Sequence, residues 1–379
     1  MTPEEARALF PITASRAYLF AGGLAPAATP VRAALDAWSA AWALDPARLY
    51  AEYRGEREAL RRAFAAVIGA DPGEVAIVDG TSRGSNLAVQ MIEAPPGSNV
   101  VVDELTYPSA LYPWRLPAKA HVEVRRVAAR GGVVSPAALA AAVDDRTVAV
   151  SICHVSQASG FRHDLAAVAE VAHGHGALLL VDGAQSVGAV DVDVGRDGVD
   201  VLACTAMKWL LGAPGVGFLY LRRELADRLP PPHVGWSAVL EAREDGLVYQ
   251  PDARRHDVGM PSLPCLAASR EGIGILLGVG LPDVERHVVS LAGEAIEGLR
   301  RRGIAVHTPG DPEQHAGVVA LPVRRGGEVV AFLRERGVDT WTDRAETLFR
   351  IDPHVYNDAS DLERLFDGLD AFRALRPLL

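Results

Sequence analysis

The chain has 379 residues, long for a single hydrophobic core, so a larger and a smaller domain are expected. Hydrophobic residues make up 49% and charged residues 23%, which excludes a disordered or low-complexity chain. A net charge of -10 argues against a nucleic-acid-binding surface, and no stretch reaches the ~20 apolar residues of a membrane span.

The opening MTPEEARALFP is acidic, with Thr2, Pro3 and Glu5 placed as a helix cap, unlike a signal peptide. Residues 30–42 and 50–69 carry apolar side chains at helical spacing, with Pro30 in a first turn and Leu60, Phe64 and Val67 on one side. From residue 75 short apolar runs take over: AIVD (76–79), NVVVDE (99–104), HVEVRRV (121–127), VAVSICHV (148–155), ALLLVD (177–182), VLACT (201–205) and GFLYL (217–221). Several are unbroken, as strands buried on both faces require. Residues 85–92, 136–143 and 164–175 between them read as helices, and this alternation predicts a doubly wound, mainly parallel sheet.

Beyond residue 250 come a long amphipathic helix (281–302), strands at 317–323 and 348–352, and a helix at 362–375, the pattern of a smaller α/β domain. Arg300, Arg301 and Arg302 end the first of these helices, where they complement its dipole. Three prolines between 249 and 264 mark the link, giving domains 1–250 and 251–379. Three widely spaced cysteines, Cys153, Cys204 and Cys265, fit reduced thiols better than a disulfide framework, so a soluble cytoplasmic protein is expected.

Ligands of open parallel sheets gather at the strands' carboxyl ends, so the polar residues there are the candidates. After AIVD stand Gly80, Thr81 and Ser82 ahead of a helix, a seat for phosphate, although Thr-Ser at that place is equally an ordinary cap. The G-x-G-x-x-G spacing is absent, which lowers a nicotinamide-dependent dehydrogenase reading. ALLLV ends in Asp182, followed by Gly183, Ala184 and Gln185; a lone Asp at such a place commonly caps a helix. VLACT leads through Thr205, Ala206 and Met207 to Lys208, set among apolar residues and glycines, where a lysine either snorkels to the surface or has a task.

A strand-terminal Asp followed one strand later by a lysine in a small, glycine-flanked loop resembles the fold type I enzymes that use pyridoxal 5'-phosphate (PLP). The motifs, from AGGLAP at 21–26 to RIDPHVYN at 350–357, resemble aminotransferase class V, a group with cysteine desulfurases, selenocysteine lyases, C-S lyases and isopenicillin N epimerase-like enzymes. The resemblance implies a seven-stranded, doubly wound, mainly parallel sheet with a smaller C-terminal α/β domain. It implies PLP held on Lys208 as a Schiff base, with Asp182 paired to the ring nitrogen and Gln185 to the phenolic oxygen. Gly80, Thr81, Ser82 and Thr205 would hold the phosphate, Tyr107 would lie over the ring, and Gln157 would touch cofactor or substrate.

Arg350 matches the arginine that receives a substrate carboxylate, a task suited to its bidentate fork. Trp341, Asp343 and Arg344 stand either as substrate contacts or as ordinary loop residues. A homodimer is implied, with residues 250–264 reaching the neighbour's cofactor. Three positions depart from the family: Met207 where His is frequent, Met260 where Thr is common, and Asp352 where Ser is frequent.

The reaction expected is β-elimination from a cysteine conjugate by a C-S lyase, with an epimerase or class V aminotransferase close behind. Cysteine desulfuration is disfavoured, because residues 336–350 carry no thiol and Cys265 lies in an apolar helical start. A silent PLP-binding protein stays open, although Lys208 and Arg350 together argue for turnover.

Overall fold

The computed structural model describes residues 1–378. Seven apolar runs pair into one sheet: β1 (Val75–Val78), β2 (Asn99–Asp103), β3 (Glu123–Val127), β4 (Thr147–Cys153), β5 (Leu178–Asp182), β6 (Val201–Thr205) and β7 (Gly217–Leu221). Their order is 1-7-6-5-4-2-3, with β7 antiparallel to both neighbours and every other pair parallel. Parallel neighbours need crossover helices, which cover both faces and explain why the central strands are apolar throughout. The expected doubly wound α/β fold is therefore present.

The registers Cys153–Asp182, Asp182–Ala203 and Thr205–Gly217 bring the ends of β4, β5 and β6 and the start of β7 to one edge. Gly217 is required there, since a Cβ would stand 2.5 Å from Gly80 Cα and 2.6 Å from the Cys204 carbonyl oxygen.

One local expectation changes. The helix after β1 spans Thr81–Met91, starting four residues before the sequence pattern suggests. Gly84 weakens the helical signal by propensity, yet tertiary packing requires it: a Cβ there would meet the Ala203 side chain at 2.9 Å, so glycine lets the helix lie close on β6.

The smaller unit is an antiparallel sheet of β8 (Val319–Pro322), β9 (Trp341–Thr342) and β10 (Leu348–Ile351), ordered 8-10-9. Leu321 and Phe349 pack with Leu291, Leu299, Leu333, Leu365 and Phe372 of the surrounding helices as a second apolar cluster. Ala17 and Leu19 join this cluster, because Ala17–Tyr18 pairs in parallel with Val338–Asp339. The N-terminal segment thus runs between the two cores, with Ala6, Phe10, Ala21 and Ala28 in the larger one. Among the described residues no single helix is long and apolar enough to cross a membrane.

Candidate active site

At the end of β1 the chain turns through Gly80 (φ 154°) into the eleven-residue helix Thr81–Met91. The first amides of a helix have no intrahelical acceptor, and no side chain caps this one. The reading of Thr-Ser as a cap is therefore not what is seen: Thr81 lies inside the helix, and its Oγ1 is buried with no hydrogen-bond partner. Such an orphan costs about 1–3 kcal/mol unless a ligand satisfies it. Thr205 Oγ1 faces the same turn, 3.9 Å from the place of a Gly80 Cβ, and donates weakly to the Val216 carbonyl at 3.4 Å. Ser82 Oγ is shared with Ser109 Oγ at 2.8 Å. Unpaired amides at the positive end of a helix and an orphaned hydroxyl fit a phosphate group.

Asp182 closes β5 and is buried, with Oδ1 accepting from the Ala184 amide at 2.9 Å. Residues 183–186 form a turn and not a helix, so Asp182 does not serve as a helix cap. Burial raises its pKa, opposed by the Ala184 amide and by the charge of Lys208. Lys208 is mostly buried, and burial lowers its pKa against the pull of Asp182. Each charge thus favours the other across the site, and the Ala184 amide adds to the support of Asp182.

The lysine turn is closed by Leu211 N donating to the Lys208 carbonyl (3.0 Å) and Gly212 N to the Ala206 carbonyl (2.9 Å). That closure puts Leu211 in a left-handed backbone (φ 58°), which costs of order 1–2 kcal/mol. Packing imposes it: Gly272 of the helix Leu263–Val279 lies so close that a Cβ would meet the Leu211 carbonyl oxygen at 2.3 Å.

Arg350, on β10, is 2% exposed. Its Nε lies 2.9 Å from the carboxylate of Asp352, and its Cζ lies 4.7 Å from the centroid of the Trp341 ring. Its terminal nitrogens make no hydrogen bond among the described residues, so the outer edge of the fork is open. Asp352, fully buried, also accepts from the Gly22 amide at 3.2 Å; burial raises its pKa and Arg350 opposes the rise. Lys208 feels the charges of both Arg350 and Asp352, which places the carboxylate-binding fork and the lysine in one site.

Gln185 has both ends of its amide engaged: Nε2 donates to the Gly22 carbonyl at 2.9 Å, and Oε1 accepts from Trp209 Nε1 at 2.8 Å. It ties the N-terminal segment to the lysine turn. Gly22 is hemmed in by these groups, since a Cβ would stand 2.7 Å from both Asp352 Oδ2 and Gln185 Oε1. Sequence reasoning missed Gly22 and Trp209 as site residues; their signals were AGGLAP itself and an indole directly after the lysine.

Other candidates sit at the margin. Tyr107, 40% exposed, opens a single helical turn, its amide donating to Cys153 Sγ at 3.1 Å. Gln157 is half-buried in the turn after β4. Asp343 is a turn staple, accepting from the amides of Thr347 (2.8 Å) and Leu348 (2.9 Å), and Arg344 is exposed at the same turn. Met207 is half-buried and its carbonyl receives the Ala25 amide at 2.9 Å. Met260 is exposed and lines a cavity of about 250 Å³ with Asp79, Arg83 and Ser262.

A lysine and an aspartate buried within reach of each other, beside a phosphate seat on this sheet, are what a PLP-dependent enzyme needs. One solved structure of the same fold holds glycine covalently linked to its PLP. The chain belongs to the aminotransferase class-V family, whose model matches residues 18–342, and its cofactor is pyridoxal 5'-phosphate. It is 30% identical over 371 residues to an uncharacterized aminotransferase, YcbU, of Bacillus subtilis, covering 97% of this chain and 98% of that one. It is 28% identical over 328 residues to a probable cysteine desulfurase of Methanothermobacter thermautotrophicus, covering 85% and 82%. The apo structure of a cysteine desulfurase from Thermococcus onnurineus superposes with a TM-score of 0.89 at 25% identity, covering 98% of each chain.

These relatives overturn the expectation that desulfuration is disfavoured, and with it the β-elimination reading. The lack of a thiol in 336–350 bears only on where the sulfur goes, and not on whether the C–S bond of cysteine is broken.

Proposed function

We propose that the protein removes sulfur from cysteine and releases alanine. The observation that carries this reading is the open fork of Arg350 beside Lys208, in a chain whose relatives include cysteine desulfurases. When bound, PLP supplies an electron sink for the pair released as a bond to the substrate's α-carbon breaks.

Arg350 Nη1 and Nη2 bind the α-carboxylate, which sets the amino acid's orientation. Lys208 Nζ, made less basic by burial, takes the α-proton and later returns one. Asp182 keeps the cofactor's ring nitrogen protonated, and its raised basicity suits that role. Gly80, Thr81, Ser82 and Thr205 hold the phosphate; Gln185 stands toward the phenolic oxygen, with Tyr107 and Gln157 flanking the cofactor. Arg344 lies at the rim, where a substrate enters.

The reading includes a homodimer, supported by the exposed Trp236, Val258 and Met260 near the cavity beside Asp79. It also includes a reducing, cytoplasmic setting, supported by three unpaired thiols.

The test is to incubate the PLP-loaded protein with L-cysteine and dithiothreitol and to quantify products. Alanine and sulfide in equal amounts are expected. Pyruvate with ammonia, or mercaptopyruvate, in place of alanine would show a different reaction.

A further inference from the structure

We propose that the thiol receiving the substrate's sulfur comes from outside the chain, as a free low-molecular-weight thiol. The inference rests on the desulfuration reading above and deepens it by naming the second substrate.

The chain has three cysteines. Cys153 and Cys204 lie in strands of the large sheet, 5% and 1% exposed. Cys153 Sγ is engaged by the Tyr107 amide, and Cys204 Sγ points toward the carbonyls of Gly183 (3.7 Å) and Thr205 (3.5 Å). Burial pushes both thiols up, so neither supplies the thiolate that attacks sulfur.

Cys265 is half-buried in the first turn of the helix Leu263–Val279, where its Sγ accepts from Ser262 Oγ at 3.1 Å and its side chain packs on the main core. That helix is wedged along Thr29–Leu44 and Pro46–Val67, and Gly212 and Gly272 leave no slack against the lysine turn. A sulfur relay needs a thiol that swings between the substrate and solvent. A side chain in the first turn of a helix held on several sides does not swing.

The hairpin next to Arg350 supplies no mobile carrier either. Only residues 343–347 join β9 to β10, and the turn is sewn shut. Asp343 accepts from the Thr347 and Leu348 amides and from Thr347 Oγ1 (3.2 Å), its carbonyl receives the Glu346 amide at 3.0 Å, and Thr342 Oγ1 donates to the Leu348 carbonyl at 2.9 Å. Residues 344–347 are exposed, so this short turn borders the fork without roofing it.

The balance is RSH + cysteine → RSSH + alanine. The external thiolate attacks the substrate Sγ; the S–S bond forms as the Cβ–S bond breaks. The electron pair of the broken bond goes to the substrate carbon skeleton, and Cβ takes a proton equal to the one the attacking thiol gave up. Lys208 returns the proton to Cα.

The experiment uses PLP-loaded wild-type protein and the Cys265→Ser variant, each with L-cysteine and increasing 2-mercaptoethanol. Alanine formation is expected to rise with the added thiol in both proteins at the same rate. The hydropersulfide of 2-mercaptoethanol should collect in solution, with no sulfur added to the protein by intact mass. A persulfide that forms and decays on any of the three cysteines during turnover, or loss of alanine formation in Cys265→Ser, would overturn the external acceptor while leaving desulfuration intact. Absence of alanine from wild type at every thiol concentration would instead overturn desulfuration itself.

Discussion

Replacing Asp352 tests whether the guanidinium of Arg350 is held by that carboxylate. Both side chains are buried, Arg350 at 2% and Asp352 at 0% exposure, and Nε lies 2.9 Å from the carboxylate. Removing one partner of a buried pair leaves an uncompensated charge, a loss of about 3–5 kcal/mol. Against a total stability of roughly 5–15 kcal/mol, Asp352→Ala should lower the urea midpoint steeply, whereas Asp352→Asn keeps an acceptor for Nε and should lose less. The loss in Asp352→Ala should also be accompanied by weaker binding of glycine to the PLP-loaded protein, followed in the visible spectrum, because the fork is then oriented only by the Trp341 ring. Asp352 is a positioning residue in this account. An Asp352→Ala protein within about 1 kcal/mol of wild type, with unchanged glycine binding, would refute the reasoning.

Lys208→Ala should abolish borohydride fixation of PLP and all α-proton exchange, with the far-ultraviolet circular dichroism spectrum retained; covalent fixation that survives the substitution would place the attachment elsewhere. Thr81→Val should leave the PLP-free protein as stable as wild type or about 1–3 kcal/mol more stable, since an orphaned buried hydroxyl is removed, while PLP is lost faster on dialysis. Unchanged PLP retention would remove Thr81 from the phosphate seat. His354, fully buried, donates from Nε2 to the Trp209 carbonyl and accepts from the Val355 amide at Nδ1, so burial and bonding keep it neutral, with its pKa lowered to about 4. The unfolded chain protonates near pH 6.5 and the folded one near 4, so stability present above 6.5 should fall as pH drops through that window, by about 3 kcal/mol in all. The difference between wild type and His354→Gln in urea unfolding, measured from pH 7 to 4, should show this slope; a flat difference would contradict it.

Much of the larger unit is legible in the amino-acid order, for a local reason. A strand buried on both faces must be apolar without interruption, so VLACT and ALLLVD announce themselves, and a strand that ends must expose its next polar residue at the sheet's edge. Asp182, Thr205 and Lys208 stand out that way, and Arg350 through its motif. The inference from the missing thiol fails because it treats one route for the sulfur as a condition for the reaction.

The sequence by itself determined the alternation that makes a doubly wound sheet and the order of polar residues along its edge, because burial and periodicity act between near neighbours in the chain. Tertiary structure alone decided that Asp352 grips Arg350, that Gln185 joins Gly22 to Trp209, that Thr81 lies orphaned inside a helix, and that Ala17–Tyr18 completes a pairing with Val338–Asp339. Most of these contacts join residues far apart in the chain, and the others turn on which way a side chain faces once its surroundings have packed. No periodicity records either, because their free energy depends on desolvation, which exists only after the chain has folded.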